Sequence, residues 1–290
     1  MTHAITKQVY DAFGDTYYSP QHNTIRYFNA IQAFPIRIAF AEQARFLRKP
    51  LEEVDVLNIG VGNGQHCEQL CLPIYKHVVR ERVRWDRITD FDISSAMLQA
   101  AKGYYPSEEY QRRFAEREPL QVQGDVLELQ DILPSESFDI VLAGLCDNVE
   151  DQKRIYEEAF KVLRPQGMFI VTYPHKTLMT IIRQELYGIH PAFTRFLIDG
   201  REYLVPSFTP EPEDIEELFS DAGFEAVQAE NLYHDQNFDF HNQAISNTVR
   251  KAQKKSVEDL PVLVLGTGRK PDGLTELERK EKRDPWFWYN

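Results

Sequence analysis

The sequence predicts an α/β fold in which helices flank a doubly wound, mostly parallel sheet. Runs with helical spacing separate short apolar runs, an alternation typical of such a sheet. The first apolar run ends in three alternating glycines, which let the chain turn and let a ligand approach bare backbone. The runs predicted as buried strands are 56–59, 87–92, 120–126, 137–146 and 168–173.

The glycine loop after the first predicted strand indicates a nucleotide-type ligand. A dinucleotide fingerprint requires a third glycine three residues after Gly62, and Gln65 stands there instead. A helix predicted over 65–80 begins at the loop, so its free N–H groups can face a ligand carboxylate. The spacing therefore counts against a dinucleotide.

Acidic residues end the second and third predicted strands. Asp92, which we prefer to Asp90, can accept hydrogen bonds from ribose hydroxyls, because parallel strands end at one crevice. Asp125 follows Gly124 at the end of the third run. Capping of the next helix is the alternative for Asp92, and a solvated surface turn is the alternative for Asp125.

Together these segments resemble the class I S-adenosylmethionine (SAM)-dependent methyltransferases. The family's glycine loop usually begins with an acid, and Asn58 departs from that pattern. The resemblance implies a Rossmann-like, seven-stranded sheet whose last strand, 261–268, inserts antiparallel between the fifth and sixth strands. The motifs that carry it are Asn58-Ile59-Gly60-Val61-Gly62-Asn63-Gly64, Asp92-Ile93-Ser94, Gly124-Asp125-Val126 and Leu163-Arg164-Pro165-Gln166-Gly167.

The resemblance also implies how the chain holds SAM. Asp92 takes the ribose hydroxyls, and Asp125 with the Val126 N–H takes the adenine edge. Asn58 stands where the family's acid helps to hold the methionine end. The residues predicted to bind SAM are Asn58, Gly60, Gly62, Gly64, Asp92, Ile93, Asp125, Val126, Leu145 and Arg26.

The aromatic-rich segment before residue 50 is predicted to be helical, and the resemblance implies that it covers SAM and helps to build the acceptor pocket. Methyl transfer chiefly needs an acceptor aligned with the S–CH3 bond and water excluded. An oxygen or nitrogen acceptor can also need a base. The predicted catalytic residues are His175 and His22 as bases and Tyr18 as an orienting group, with Tyr10, Tyr17 and Tyr173 as further candidates. Capping of nearby backbone is the alternative for His175, and core burial is the alternative for the aromatic residues.

The predicted organisation is an N-terminal helical cap (1–50), a SAM-binding core (51–270) and a charged, aromatic tail (271–290). Insertions at 175–210 and 232–260 interrupt the core, and long insertions are often functional. We therefore expect the insertions to form a substrate cover. The consecutive aromatic residues 286–289 could dock on this chain or a partner subunit, which leaves a homodimer open.

Composition limits the partners and the location. A net charge of −12 would repel a phosphate backbone, so we expect no nucleic acid as substrate. No apolar run approaches the ~20 residues that cross a membrane. Three cysteines suggest no disulfide framework and suit a reducing cytosol. Neither Cys67 with Cys71 nor the acids and histidines of 232–260 have the spacing of a metal motif, so no metal is predicted.

These observations predict a cytoplasmic methyltransferase that uses SAM to methylate an oxygen or nitrogen of a small metabolite with an apolar or aromatic portion. Two other classes remain open. An NAD-dependent oxidoreductase shares the strand, the loop and the ribose acid, although Gln65 and Gly124-Asp125 count against it. A non-catalytic SAM- or nucleotide-binding accessory protein is the other, because Asn58 replaces an acid.

Overall fold

A seven-stranded sheet forms the centre of the molecule in a computed structural model, which describes residues 2–13, 23–62, 82–233, 243–253, 256 and 259–273. Two further strands, the sixth and seventh along the chain, pair only with each other. The strands are β1 (Val56–Ile59), β2 (Ile88–Asp92), β3 (Leu120–Gln123), β4 (Phe138–Gly144), β5 (Leu163–Pro174), β6 (Phe193–Ile198), β7 (Arg201–Pro206), β8 (Glu225–Tyr233) and β9 (Pro261–Arg269).

The strand order in the large sheet is β3-β2-β1-β4-β5-β9-β8. Strands β1 to β5 are parallel, and β9 is antiparallel to both of its neighbours. This arrangement confirms the predicted doubly wound sheet with its last strand inserted antiparallel. Because the strand order reverses between β1 and β4, their carboxyl ends border a crevice.

Burial on both faces explains why the central strands are continuous apolar runs. Every residue of β1, β2 and β4 is buried, whereas the edge strand β3 is half exposed. Side chains alternate between two core clusters, with Val56 and Ile140 in one and Leu57 and Val141 in the other.

Helices cover both faces of the sheet. Their bounds are α1 (Thr2–Phe13), α2 (Asn23–Leu47), α3 (Ser95–Ala101), α4 (Glu108–Phe114), α5 (Leu129–Ile132), α6 (Gln152–Val162), α7 (Lys176–Ile181), α8 (Pro212–Asp221) and α9 (Gln243–Gln253). A π-helical turn, Ile182–Leu186, extends α7. Helix α2 runs through Pro35 without restarting there. Within the described ranges, no helix is long and apolar enough to cross a membrane.

The predicted cap and the first insertion pack against each other. Val9 and Phe13 of α1 share a small core with Met97 of α3 and Val205 of β7. The rings of Phe13 and Phe196 meet edge to face, with centroids 5.6 Å apart. Helix α1 therefore lies between the carboxyl end of the sheet and the β6–β7 hairpin.

Candidate active site

A first cavity opens at the carboxyl ends of β1, β2 and β4. Its space between protein atoms is about 850 Å³, including the part that is open to solvent. Its lining contains many of the residues predicted to bind the cofactor: Gly60, Gly62, Asp92, Ile93, Asp125, Val126 and Leu145. We call this the cofactor cavity.

The glycine loop has the backbone conformation that only glycine adopts easily. Gly60 and Gly62 have φ angles of +64° and +56°. A Cβ atom on Gly60 would also lie 2.6 Å from Cys146 Sγ, which lines the same cavity. The Gly60 N–H donates to the Phe91 carbonyl at 2.8 Å, so the loop is tied to β2.

Asp92 is a buried carboxylate on the cavity wall. Its Oδ1 accepts from the Ser94 N–H at 2.8 Å, and its Oδ2 accepts from the Gly62 N–H at 3.2 Å. Burial raises the pKa of Asp92 to about 7, because the two N–H donors offset only part of the lost hydration. Hydroxyl groups of a ligand would stabilise the charged form further.

Asn58 does not line the cofactor cavity. It is fully buried, and its Nδ2 donates to Asp90 Oδ1 at 2.9 Å, across the register that pairs the two residues on β1 and β2. The Tyr105 hydroxyl donates to Asp90 Oδ2 at 2.6 Å. An acid at position 58 would face the Asp90 carboxylate, so the amide suits its neighbour.

The Gly124–Val126 turn forms the cavity wall beyond β3. Asp125 Oδ1 accepts from the Leu127 N–H at 3.0 Å and so caps a short helical turn. A Cβ on Gly124 would lie 2.4 Å from Ile132 Cδ1, which explains the glycine. The cap and the cavity position coexist, because a carboxylate has a second oxygen.

Leu145, just after β4, has a left-handed backbone with a φ angle of +58°. Its N–H donates to the Thr172 carbonyl at 2.9 Å, which holds this strained conformation. The residue lines the cofactor cavity and also a second one.

The second cavity, which we call the acceptor cavity, adjoins the first at Tyr10, Leu145 and Asn148. It contains about 1340 Å³ between protein atoms, including solvent-open space. Its walls are mainly apolar and aromatic, and its lining residues come from α1, α2, the β4–α6 loop, the end of β5, α7 with the π turn and the loop after it, and β6. They are Tyr10, Phe13, Phe28, Leu145, Asp147, Asn148, Pro174, Met179, Ile182, Arg183, Tyr187, Ile189, Thr194, Arg195, Phe196 and Leu197.

Polar groups gather on one side of the acceptor cavity. Arg183, on the π turn and 2% exposed, donates through Nη2 to Thr194 Oγ1 at 2.9 Å and to Ser207 Oγ at 2.6 Å. Ser207 Oγ in turn donates to Asp147 Oδ2. Burial raises the pKa of Asp147 and lowers that of Arg183.

Asn148 joins the elements that surround both cavities. Its Oδ1 accepts from the Tyr10 hydroxyl of α1 at 2.7 Å, and its Nδ2 donates to the Pro206 carbonyl of β7 at 2.9 Å. Ser94 Oγ, above β2, donates to Asp11 of α1 at 2.6 Å. Two adjacent residues of α1, Tyr10 and Asp11, thus tie the helix to the loop after β4 and to the loop after β2.

His175 lies away from both cavities. It precedes α7, where its Nδ1 accepts from the Thr177 N–H at 3.1 Å, and only 2% of its surface is exposed. Burial lowers the pKa of His175 even though Glu211 Oε2 lies 3.5 Å from Nε2. Its geometry matches the capping alternative. Tyr173 is also buried, and its hydroxyl donates to Gln152 Oε1 at 2.8 Å.

Several predicted residues lie outside what the structure describes. These are Gly64, Tyr17, Tyr18 and His22, together with the side chain of Arg26 in α2. The helix predicted over 65–80, the tail from residue 274 onward, and the histidines and acids at 234–241 are also outside. Across the described ranges, no group of three or more His, Cys, Asp or Glu residues is placed to hold a metal ion.

Sequence reasoning missed Asp147, Arg183 and the Asn58–Asp90 pair. Asp147 follows a buried strand as Asp92 does, so the same rule of strand ends could have selected it. Arg183 had no such signal, because the π turn and the packing of the β6–β7 hairpin bring it to the cavity, and neither is visible in the sequence.

The cofactor cavity has groups that suit SAM. Asp92 is a buried acceptor for ribose hydroxyls, Ile93 and Val126 provide apolar surface for a purine, and Gly60 and Gly62 expose backbone that no side chain covers. These are the contacts that a nucleoside at the carboxyl end of a doubly wound sheet requires.

Comparison with known proteins agrees with the fit between the cofactor cavity and SAM. A family model described as a methyltransferase domain matches residues 51–197, just over half of the chain. Demethylmenaquinone methyltransferases from Chlorobaculum parvum and Chlorobaculum tepidum are each 24% identical over 203 residues, which cover 66% of this chain and 74% of theirs.

Solved structures share the fold. The DhpI–SAH complex aligns over 93% of this chain and 97% of its own, with a TM-score of 0.52 and 16% identity. A chain from the complex of the Haloferax volcanii Trm112 methyltransferase activator with the putative methyltransferase aligns over 90% and 97%, with a TM-score of 0.58 and 18% identity. The chain belongs to the methyltransferase domain family and is a class I SAM-dependent methyltransferase.

Proposed function

We propose that this enzyme methylates an oxygen or nitrogen atom of a small molecule that has an apolar or aromatic portion. The acceptor cavity carries this proposal, since it adjoins the cofactor cavity and is walled mainly by apolar and aromatic side chains. A molecule in it would have its reacting atom beside the shared wall of Tyr10, Leu145 and Asn148. Burying the apolar portion would provide binding energy of roughly 25 cal/mol per Å².

The proposed roles on the cofactor side follow the contacts in the crevice. When bound, SAM supplies an electrophilic methyl group on a positively charged sulfur. Asp92 would hold the ribose, Asp125 and the Val126 N–H would hold the adenine edge, and Gly60 and Gly62 would allow close approach of backbone. These residues act by alignment, which can supply much of the rate of a displacement reaction.

The predicted cap (1–50) and the insertions would serve as the substrate cover. The Tyr10 and Phe196 rings lie edge to face with centroids 6.0 Å apart, so α1 and the β6–β7 hairpin meet beside the acceptor cavity. Ile245 and Val249 of α9 belong to the same core cluster as Met179 and Ile182. Such a cover would exclude water from the reacting atoms.

Two further observations support a small-molecule acceptor. The name of the Chlorobaculum relatives, demethylmenaquinone methyltransferase, refers to a small molecule. The net charge of −12 disfavours a nucleic acid. The comparisons favour neither an NAD-dependent oxidoreductase nor a non-catalytic accessory protein. A cytosolic location remains a proposal from the cysteine usage, and a homodimer remains a prediction.

Thermal unfolding with S-adenosylhomocysteine (SAH), with NAD as the control, tests the cofactor side. A ligand at ~100 times its dissociation constant adds ~2.7 kcal/mol to native stability. We expect a shift with SAH alone. Incubation with labelled SAM and a panel of apolar hydroxylated or amine metabolites then tests the acceptor side. Methyl transfer only to added RNA or protein would contradict the proposal.

A further inference from the structure

Asp147 is an acidic residue that lines the acceptor cavity. Among the described residues that line this cavity, it is the only acid. The residue is 8% exposed, and it follows β4 in the loop that separates the two cavities. Its neighbours in the chain line the cofactor cavity: Cys146 on one side and Asn148, which also lines the acceptor cavity, on the other.

The side-chain contacts of the Asp147 carboxylate all involve Oδ2, and the backbone N–H of Asp147 is a further donor to the carboxylate. Ser207 Oγ donates to Oδ2, Asn148 Nδ2 lies 3.4 Å from Oδ2, and Arg183 Nη2 lies 4.0 Å from Oδ2. These three side chains fix the orientation of the carboxylate. They also leave Oδ1 without a side-chain donor among the described residues, although a carboxylate has acceptor capacity on both oxygens.

The electrostatic surroundings suit a base. Burial disfavours the charged carboxylate and raises the pKa of Asp147, which strengthens its affinity for a proton. Arg183 acts in the opposite direction and favours the anion. The other titratable groups that interact with Asp147 in the described part of the chain are Cys146 beside it and Tyr173 on β5, and burial raises the pKa of both.

On the basis of the proposed function, we infer that Asp147 is the general base for an acceptor that carries a hydroxyl group on an apolar, aromatic body. The acceptor oxygen attacks the methyl carbon of SAM. The new C–O bond forms as the C–S bond breaks, and the electron pair of that bond remains on sulfur, which becomes neutral. The hydroxyl proton passes to Asp147 Oδ1 and afterwards to solvent, so the products are a methyl ether, SAH and one proton.

A matched pair of probes tests this inference. In the wild-type enzyme saturated with SAH, 1-naphthol should bind at least tenfold more tightly than 1-methoxynaphthalene, because only the phenol can donate to Asp147. The Asp147→Ala variant, which has no acceptor at this position, should lose that preference, and Asp147→Asn should weaken it, because an amide oxygen is a weaker acceptor than a carboxylate. Equal binding of the two probes, or no binding of 1-naphthol, would overturn the inference.

Turnover of 1-naphthol with labelled SAM separates a chemical role from a structural one. General bases contribute typically about 10²–10⁴-fold, so Asp147→Asn should lower turnover by that factor. Ser207→Ala removes a hydrogen bond to the same carboxylate but keeps the base, and its loss should stay below about tenfold. Equal losses in the two variants would show that Asp147 only holds the hairpin.

Two controls distinguish failure of this inference from failure of the proposed function. Both variants should bind SAH within about twofold of the wild type, because Asp147 does not line the cofactor cavity. With SAM saturating at every pH, so that protonation of Asp92 does not limit cofactor binding, wild-type turnover should rise with pH as Asp147 loses its proton, and Asp147→Asn should lack that rise. Absence of SAH binding to the wild type would refute the proposed function, whereas SAH binding together with 1-naphthol turnover that does not depend on Asp147 would refute this inference alone.

Discussion

The cofactor cavity and the acceptor cavity are built in different ways. The first is formed mainly at the ends of adjacent parallel strands, by the loops that directly follow β1, β2, β3 and β4, with a few residues from α1 and α2. The second combines α1, the loop after β4, the π turn and the β6–β7 hairpin, which are far apart in the chain. The comparison teaches that a cavity at strand ends can be found from local motifs, whereas one between appended elements depends on how they pack.

Loss of the Asp92 carboxylate should have the largest effect, and that effect should be on cofactor affinity. In Asp92→Ala, the SAH dissociation constant should rise several hundred-fold, because two hydrogen bonds to a charged group are each worth about 1.5–3 kcal/mol. Isothermal titration calorimetry measures the change. The control is Asp131→Asn, an exposed acid on α5 that should leave affinity unchanged. A loss of SAH affinity smaller than tenfold would show that Asp92 does not bind the cofactor.

Changing Asn58 to the acid that the family usually has should destabilise the folded protein. Asn58→Asp would bury a second carboxylate against Asp90 and should lower the free energy of unfolding by about 3 kcal/mol at pH 8, measured by urea denaturation. The double variant Asn58→Asp/Asp90→Asn restores an acid–amide pair and should recover most of the loss. If it does not, the buried pair is not the reason for the amide at position 58.

The pH dependence of SAH binding should depend on Asp92, in the cofactor cavity, and not on Asp147, in the acceptor cavity. Asp92 has a pKa of about 7 without ligand, and ribose hydroxyls favour its charged form, so binding lowers that pKa. Affinity should therefore fall about tenfold as the pH drops from 8 to 6, since protonation of the free enzyme competes with binding. In Asp92→Asn the dependence should disappear, and in Asp147→Asn it should persist. A flat wild-type profile would contradict the raised pKa.

The smallest effect is expected from Tyr10→Phe, which keeps the ring against Phe196 but removes the donor to Asn148 Oδ1. Stability should fall by about 1 kcal/mol in thermal unfolding, the usual worth of one hydrogen bond. Affinity for SAH should change by less than about threefold, and the acceptor KM should rise more. Tyr104→Phe is the matched control. A larger loss of SAH affinity than of acceptor binding would place Tyr10 on the cofactor side.

Register explains part of what the sequence could not predict. Asp92 was preferred to Asp90 because it ends its strand, and the structure places Asp92 on the cavity wall and Asp90 beside Asn58. Nothing local identifies the pairing of Asn58 with Asp90, because β1 and β2 are distant in the chain and only their register brings the two side chains together. His175 was selected for its position after β5, but the first turn of α7 directs its Nδ1 to the Thr177 N–H.

The sequence by itself determined the fold class and the location of the glycine loop and its acids, because buried parallel strands are continuous apolar runs and their ends carry short, local motifs. The antiparallel last strand and the cofactor class followed from the resemblance of those motifs to the class I SAM-dependent methyltransferases. Only the tertiary structure decided the acceptor cavity, the Asn58–Asp90 pair and the contacts among Asp147, Arg183 and Ser207. Those features depend on contacts between distant segments, which strand periodicity and motif spacing do not encode.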